Sequence, residues 1–418
     1  LDGDEREKAE AVRDGDVEPD SGPIRVGAIL PQSGRFEPVG DQILEGVRLA
    51  LERRRSTAPD LREVELVLLD DSSDVETGLR RVEELADFDV VAILGPIRTE
   101  TLAGAASRRD AEDLLVLSPT AARGQGTDLN VYSAWDRVRR ETDVAAAVSG
   151  WMTDELGVAS IGVLHPVRFD RAPVDTIRAV VERAGGNLAG VQAYVPDSTT
   201  FERPITALAA TEPDAVIVLA DRPRTVLQIA PQLVYYGLRR WVTAGGANWS
   251  DPTVARRLDP SYADYRLVGT YVDRVSPGTG WEEFETIYES RYRKALPDNM
   301  FAALGYDAMS LILTGAPEAG SERRGAVGRA IRRLDPHRGA TGDFRVDPTT
   351  GELHRDVFVR VLIGGALLEP DPEVMREWAD DQRELEEFLR TLEEEKEKER
   401  EDQGRQRGGA DIRGGLRR

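Results

Sequence analysis

The residue types that could do covalent or metal chemistry are few here and badly spaced for it. The three histidines are His165, His337 and His354, and none has another histidine or a carboxylate at the i+4 spacing of a metal site. Cysteine is absent, which removes thiolate nucleophiles, sulfur-ligated metals and any disulfide framework. Asp70 and Asp71 form a carboxylate pair, but they close an apolar run and open Ser72-Ser73-Asp74, the composition of a helix cap. Ser33 precedes Gly34, yet no histidine is indicated as its base. No G-x-S-x-G elbow, Walker-type phosphate loop or G-x-G-x-x-G after a strand is present. The chain therefore reads as non-catalytic, with no metal and no cofactor.

Binding chemistry is better represented. Ser33, Arg98, Thr99, Ser118 and Thr120 each follow an apolar run, and hydroxyls and backbone N–H groups at neighbouring strand ends make a concave, anion-accepting surface. A second set, Phe169, Asp221 with Arg222, and Gly245-Gly246, follows later runs in the same way. What must position these residues is a series of strand–loop–helix units. In Ile24–Ala50 the run Arg25–Leu30 suits a buried parallel strand, Pro31, Ser33 and Gly34 break it, and a helical period starts from Asp41 as cap, with Ile43, Leu44, Val47, Leu49 and Ala50 on one face.

The rhythm repeats. Strands are expected at Glu63–Asp70, Val90–Leu94 and Leu114–Leu117, with a helix capped by the run Asp70-Asp71-Ser72-Ser73-Asp74 and continuing through Ala86, and another from about Thr99 to Ala111. It then restarts, with helices at Glu141–Glu155, Pro173–Ala184, Phe201–Ala210 and Pro223–Tyr235 and strands at Ser160–Leu164, Leu188–Tyr194, Ala215–Ala220 and Trp241–Ala244. Leu267–Tyr271 adds a strand, three helices follow at Trp281–Lys294, Phe301–Leu313 and Arg324–Leu334, and Gly339–Arg345 with Glu352–Leu362 gives a hairpin-like ending. Alternation of this kind builds parallel sheets, and two successive sets imply two lobes with a cleft between them. The expected lobes are 24–136 plus 273–340 and 137–270 plus 342–368, joined by a hinge of three crossings.

A chain of 418 residues is too long for one core, and 40% hydrophobic residues suffice for two. A formal charge of −21 argues against nucleic acid as a partner. No apolar run reaches the roughly 20 residues of a membrane helix. Residues 1–23 read as a flexible acidic leader, and the start at Leu1 suggests that an upstream portion has been removed. Residues 371–400 carry Val374, Trp378, Leu385, Phe388, Leu389 and Leu392 as one stripe of an amphipathic helix, expected to dock on its own body or to form a homo-oligomer. Residues 401–418 include a Gly/Arg tail expected to be disordered.

The run VGAILPQSGRFEPVGDQILEGVRLAL, followed in order by VVAILGPIRTE, LLVLSPTA and GATGDFRVDPTTGELHRDVFV, resembles the type I periplasmic solute-binding proteins of the branched-chain amino-acid kind over about Ile24–Leu368. SGRF and the closing motif are also similar to lipoprotein activators of penicillin-binding proteins, which share the two-lobed α/β fold. The resemblance implies Thr99 as a carboxylate-binding hydroxyl, Thr120 as a backbone donor and Phe169 as an aromatic lid. The family's second hydroxyl falls on Ala122 and its ammonium-pairing acid on Gly245, neither of which can serve. Asp221 could replace the acid, and Arg98 could hold a ligand carboxylate bidentately. These departures weigh against an ordinary leucine or valine ligand.

The reading that follows is an extracytoplasmic receptor, periplasmic or anchored through a missing N-terminal portion. It would close on a small polar or anionic amino-acid-like ligand for ABC-type uptake or sensing, with a membrane permease as partner. The alternative is a non-catalytic regulator of cell-envelope (peptidoglycan) enzymes whose cleft is vestigial.

Overall fold

A computed structural model describes residues 22–88, 90–108, 114–122, 130–238, 242–318, 325–334, 336–347, 349, 352–385 and scattered positions onward to 398. The acidic leader up to residue 21 and the Gly/Arg tail lie outside the described residues. The chain divides into two compact units, residues 1–136 with 283–354 and residues 137–282 with 355–418. It passes from one to the other at 136/137, 282/283 and 354/355, where the sequence had placed the second and third passages near 273 and 341.

The first unit is built on five parallel strands: β1 (Ile24–Leu30), β2 (Val64–Asp70), β3 (Ala92–Leu94), β4 (Leu115–Ser118) and β5 (Val131–Ser133). Their order is β2-β1-β3-β4-β5. The strands are apolar because helices cover them. Helix Val75–Asp87 turns Val82, Leu85 and Ala86 into a core with Ile29, Ile93, Leu102 and Val116. Helices Glu37–Thr57 and Phe301–Glu318 cross at two glycines. A Cβ on Gly46 would lie 1.8 Å from the Ala302 carbonyl oxygen and one on Gly305 2.2 Å from that of Ile43, so only glycine permits this approach.

In the second unit β6 (Ser160–Pro166), β7 (Asn187–Tyr194), β8 (Ala215–Val218), β9 (Val242–Gly245) and β10 (Arg266–Thr270) are mutually parallel. A short ribbon, β11 (Phe344–Val346) with β12 (Leu353–Arg355), comes next in the chain. Two antiparallel strands, β13 (Phe358–Ile363) and β14 (Ala366–Leu368), then complete a seven-stranded sheet of order β14-β13-β10-β9-β8-β6-β7. Helix Arg137–Leu156 buries Val144, Ala145, Val148 and Met152, and helix Ala172–Arg183 buries Val174, Ile177 and Val181, over one face. Ile205, Leu208, Val226, Ile229, Leu233 and Trp249 cover the other.

Several expectations are corrected. The first helix starts at Glu37, so Asp41 lies inside it and caps nothing; Pro38 in the first turn supplies the start, since its fixed φ suits that position. Asp74, not Asp70 or Asp71, caps helix Val75–Asp87, accepting from the Thr77 N–H at 2.8 Å. The expected strand Glu352–Leu362 is two strands, one pairing with β11 and the other with β10, because Val361 and Leu362 are buried in the second sheet. The amphipathic helix begins at 372 and packs through Met375, Trp378 and Ala379, but Leu385 and Phe388 are exposed.

Candidate functional site

In an open parallel sheet, ligands bind outside the carboxyl ends of the strands where the winding reverses. In the first unit the chain runs from β1 outward to β2, then returns to the other side of β1 as β3, so the reversal lies between β1 and β3. The loops at this point are Pro31–Phe36, Asp70–Asp74, Gly95–Arg98 and the turn after Ser118. Gly95 belongs there by necessity: its φ is +98°, and a Cβ would sit 2.2 Å from the Ile29 carbonyl oxygen.

Asp70 organises the first two loops. Its carboxylate accepts from the Ser33 hydroxyl at 2.7 Å, the Gln32 N–H at 2.8 Å, the Ser72 N–H at 2.7 Å and the Ser72 hydroxyl at 3.2 Å. Desolvation works to raise its pKa, but these bonds outweigh it and leave the pKa below the usual carboxylate value. Ser73 ties the loops together, donating its hydroxyl to the Ser33 carbonyl and accepting from the Phe36 N–H. Ser72 and Ser73 both take positive φ, 51° and 60°, which the Asp70 and Asp71 carboxylates support through the N–H groups they hold. Buried Asp71 is pushed up by desolvation, with the Ser73 N–H opposing, Asp70 adding to the rise and the Arg98 charge countering it.

Arg98 reaches into this network. It donates to the Ser73 carbonyl at 3.2 Å, lies 3.7 Å from the Glu100 carboxylate and stands over the Phe36 ring at 5.8 Å. Thr99 opens helix Thr99–Arg108, where N–H groups and dipole favour an anion, and its exposed hydroxyl accepts from the Ala122 N–H at 3.2 Å. Thr120 is half-buried and donates its hydroxyl to the Ile97 carbonyl, while its N–H faces the Ser118 hydroxyl at 3.3 Å. The backbone donor expected at Thr120 is thus partly engaged within the loop. Ser118 is fully buried, donating to the Pro96 carbonyl at 2.6 Å and accepting from Ala121 N–H, so it braces two strand ends from within. Ser33 spends its proton on Asp70.

In the second unit the reversal lies between β6 and β8. Phe169 follows β6 and packs part-buried against the core cluster that includes Met152 and Ile177. Asp221 follows β8; its carboxylate accepts from the Thr225 hydroxyl at 2.7 Å and pairs with Arg222 at 3.2 Å, which also bridges to Asp197 at 2.6 Å. Two residues beside it were not singled out by sequence. Glu141, buried in the second turn of helix Arg137–Leu156, accepts from Ala247 N–H at 3.0 Å and the Asn248 amide at 3.1 Å. Burial raises its pKa, and the Arg140 charge counters part of the rise. Tyr194 is buried, donates to the Leu219 carbonyl at 2.7 Å and has its phenol pushed upward by burial, with the Asp221 and Glu141 charges adding. A glutamate in a helical period carries no local mark of such a partner; only the turn residues Gly245-Gly246 hinted at the loop it holds.

Among the described residues no cluster of three potential metal ligands occurs, and no helix is long and apolar enough to cross a membrane. Comparison with known proteins places the chain. It is 20% identical over 338 residues, 80% of this chain and 90% of the relative, to the Leu/Ile/Val-binding protein homolog 3 of Brucella melitensis. A solved structure from Rhodospirillum rubrum, described provisionally as a branched-chain amino acid ABC transporter, matches with a TM-score of 0.75 at 22% identity, covering 83% of this chain and all of that one. A solute-binding protein of an ABC transporter from R. palustris, solved with benzoate, matches at a TM-score of 0.59 and 17% identity, over 83% of this chain and 95% of its own. These structural likenesses establish the fold as that of the two-lobed type I periplasmic binding proteins. The family model for periplasmic binding proteins matches residues 23–366, most of the chain, and on that ground the chain belongs to the periplasmic binding protein family.

Proposed function

We propose that the chain is the substrate-binding receptor of an ABC-type uptake or sensing system, and that its ligand is a small molecule bearing a carboxylate. Family membership supports the receptor class. The single observation that carries the ligand class is the pairing of Arg98 with Thr99 at the carboxyl end of β3: a guanidinium, a hydroxyl and a helix N-terminus together at the reversal point. Arg98 has five N–H donors and engages the Ser73 carbonyl with one of them, so a bidentate hold on a carboxylate is within its capacity. The Brucella relative is named for leucine, isoleucine and valine, and the R. palustris neighbour was solved with benzoate; both kinds of ligand carry a carboxylate.

Asp221 of the second unit is the proposed contact for a cationic or hydroxyl group of the ligand. A branched-chain amino acid then competes with more polar amino acids and with aromatic acids as the true ligand. Titration calorimetry with a panel of amino acids, dicarboxylates and benzoate-type acids, on the parent and on Arg98→Ala and Asp221→Ala, tests this. Hydrogen bonds to charged groups are worth roughly 1.5–3 kcal/mol, so Arg98→Ala weakens binding about tenfold or more. Asp221→Ala affects amino acids and leaves simple carboxylic acids unchanged. Equal binding of one ligand to all three proteins would refute the site while leaving the fold standing.

A further inference from the structure

We propose that Glu141 is a positioning residue: through Asn248 it fixes the end of β8 so that Asp221 receives an amine, which makes the ligand an amino acid rather than an amine-free carboxylic acid. That role presupposes the carboxylate ligand proposed above. The sheet pairing of β8 ends at Val218, short of Asp221. Side chains hold the carbonyls from there on. The Trp249 indole donates to that of Val218 at 2.9 Å, the Tyr194 phenol to that of Leu219 at 2.7 Å and the Asn248 amide to that of Ala220 at 2.7 Å. Ala220 directly precedes Asp221. An amide nitrogen has two N–H bonds, and Asn248 gives its second to Glu141 at 3.1 Å. The other Glu141 oxygen takes the Ala247 N–H at 3.0 Å.

A buried carboxylate adds little to stability by itself, because losing its hydration costs about what its contacts return. Arg140, 3.7 Å from the Glu141 carboxylate, offsets part of that cost. The use of Glu141 is therefore in what it holds: the loop after β9 and, through Asn248, the strand end that carries Asp221. No side chain from position 245 joins Asp221 there, since a Cβ on Gly245 would lie 2.0 Å from Trp249 Cγ. The Asp221 side chain keeps 25% of its surface exposed and is oriented by the Thr225 hydroxyl. Arg222 divides its charge between Asp221 and Asp197, and a carboxylate has about four lone-pair sites, so Asp221 retains capacity for a further donor. A charged amine fills that capacity best, because charge-assisted bonds are roughly twice as strong as neutral ones.

Calorimetry uses two matched pairs, leucine against isocaproate and glutamate against glutarate, which differ only in the amine. The proteins are the full chain, Glu141→Gln, Asn248→Ala, Asp221→Ala, and the first two variants each combined with Asp221→Ala. Glutamine keeps the volume at 141 and the bond from Ala247, but sets one amide against another and so loses Asn248; melting temperatures certify each fold. An amino acid should bind the parent more tightly than its amine-free twin. Glu141→Gln and Asn248→Ala should each cost the amino acid about tenfold and its twin nothing, and neither should cost more once Asp221 is alanine. A residue that only supports the fold would weaken both twins alike, and would do so without Asp221 as well. That result, or amino-acid binding indifferent to Glu141→Gln while Asp221→Ala weakens it, overturns this proposal and leaves the ligand reading standing. An Asp221→Ala that changes neither twin, or no binding by either pair, refutes both.

Discussion

At the scale of single residues, the second unit contains a charge pair whose removal has a calculable sign. Asp273 accepts from Arg360 at 3.0 Å and from the Val275 and Ser276 N–H groups, and both side chains are buried. Desolvation opposes the charged form, but the hydrogen bonds from Ser276, Val275 and Arg360 prevail and set the Asp273 pKa at about 2. A carboxylate held lower in the folded state than in the unfolded chain adds stability that is complete above the unfolded value, about 3.9. That stability drains away as pH falls from there toward 2. Asp273→Asn leaves the Arg360 charge buried and should destabilise by about 3–5 kcal/mol at neutral pH. Denaturant melts of parent and variant between neutral pH and pH 3 should therefore converge on acidification. Asp70→Ala is the companion experiment in the first unit. It strands the N–H groups of Gln32 and Ser72 and should lower stability by about 1–3 kcal/mol, with ligand affinity falling as the Ser33 loop loosens. The alternation of strand and loop announced that Ser33 and Arg98 would stand at strand ends. It gave no notice that Asp70 would clamp Ser33, or that Ser118 would be buried, because those partners come from loops tens of residues away.

At the scale of elements, the C-terminal helix separates packing from patterning. Trp378, Leu385 and Phe388 belong to one stripe in sequence, yet Trp378 stacks on Tyr265 while the other two face solvent. Trp378→Ala should cost about 3 kcal/mol in a denaturant melt of the full chain, in the range for large aromatic truncations, whereas Phe388→Ala should stay within about 0.5 kcal/mol. Equal losses would mean that the distal half is packed as well. Long periodic elements were legible from sequence: β1, β2, helix Pro223–Tyr235 and helix Phe301–Glu318 all begin within a residue of expectation. Short strands β3 and β4 were legible too, as apolar runs, but three short elements were not. The three-residue strand β5 and helices Pro252–Arg257 and Pro260–Ala263 lack the length for a hydrophobic period, although both helices begin with an Asp-Pro pair that caps and starts them. Asp41 misled because an aspartate before an apolar run looks like a cap wherever it stands, while Pro38 had already begun the helix.

At the scale of the whole molecule, two successive series of βα units were readable as two compact bodies, since each series has strands enough for a sheet and helices enough to cover it. The points of passage were less legible. The second falls inside helix Gly280–Tyr292 and the third inside the short strand β12, and an unbroken element gives no compositional sign that the chain is changing partners. We propose that the whole molecule acts as a receptor that retains a small carboxylate ligand, with Arg98 as an anchor. Native mass spectrometry of the gently purified full chain addresses it directly. The expected result is a bound species a small-molecule mass above the polypeptide, released on activation as a carboxylic acid and depleted in Arg98→Ala. A parent that flies only at its polypeptide mass, and whose melting no carboxylate of the panel raises, would contradict it.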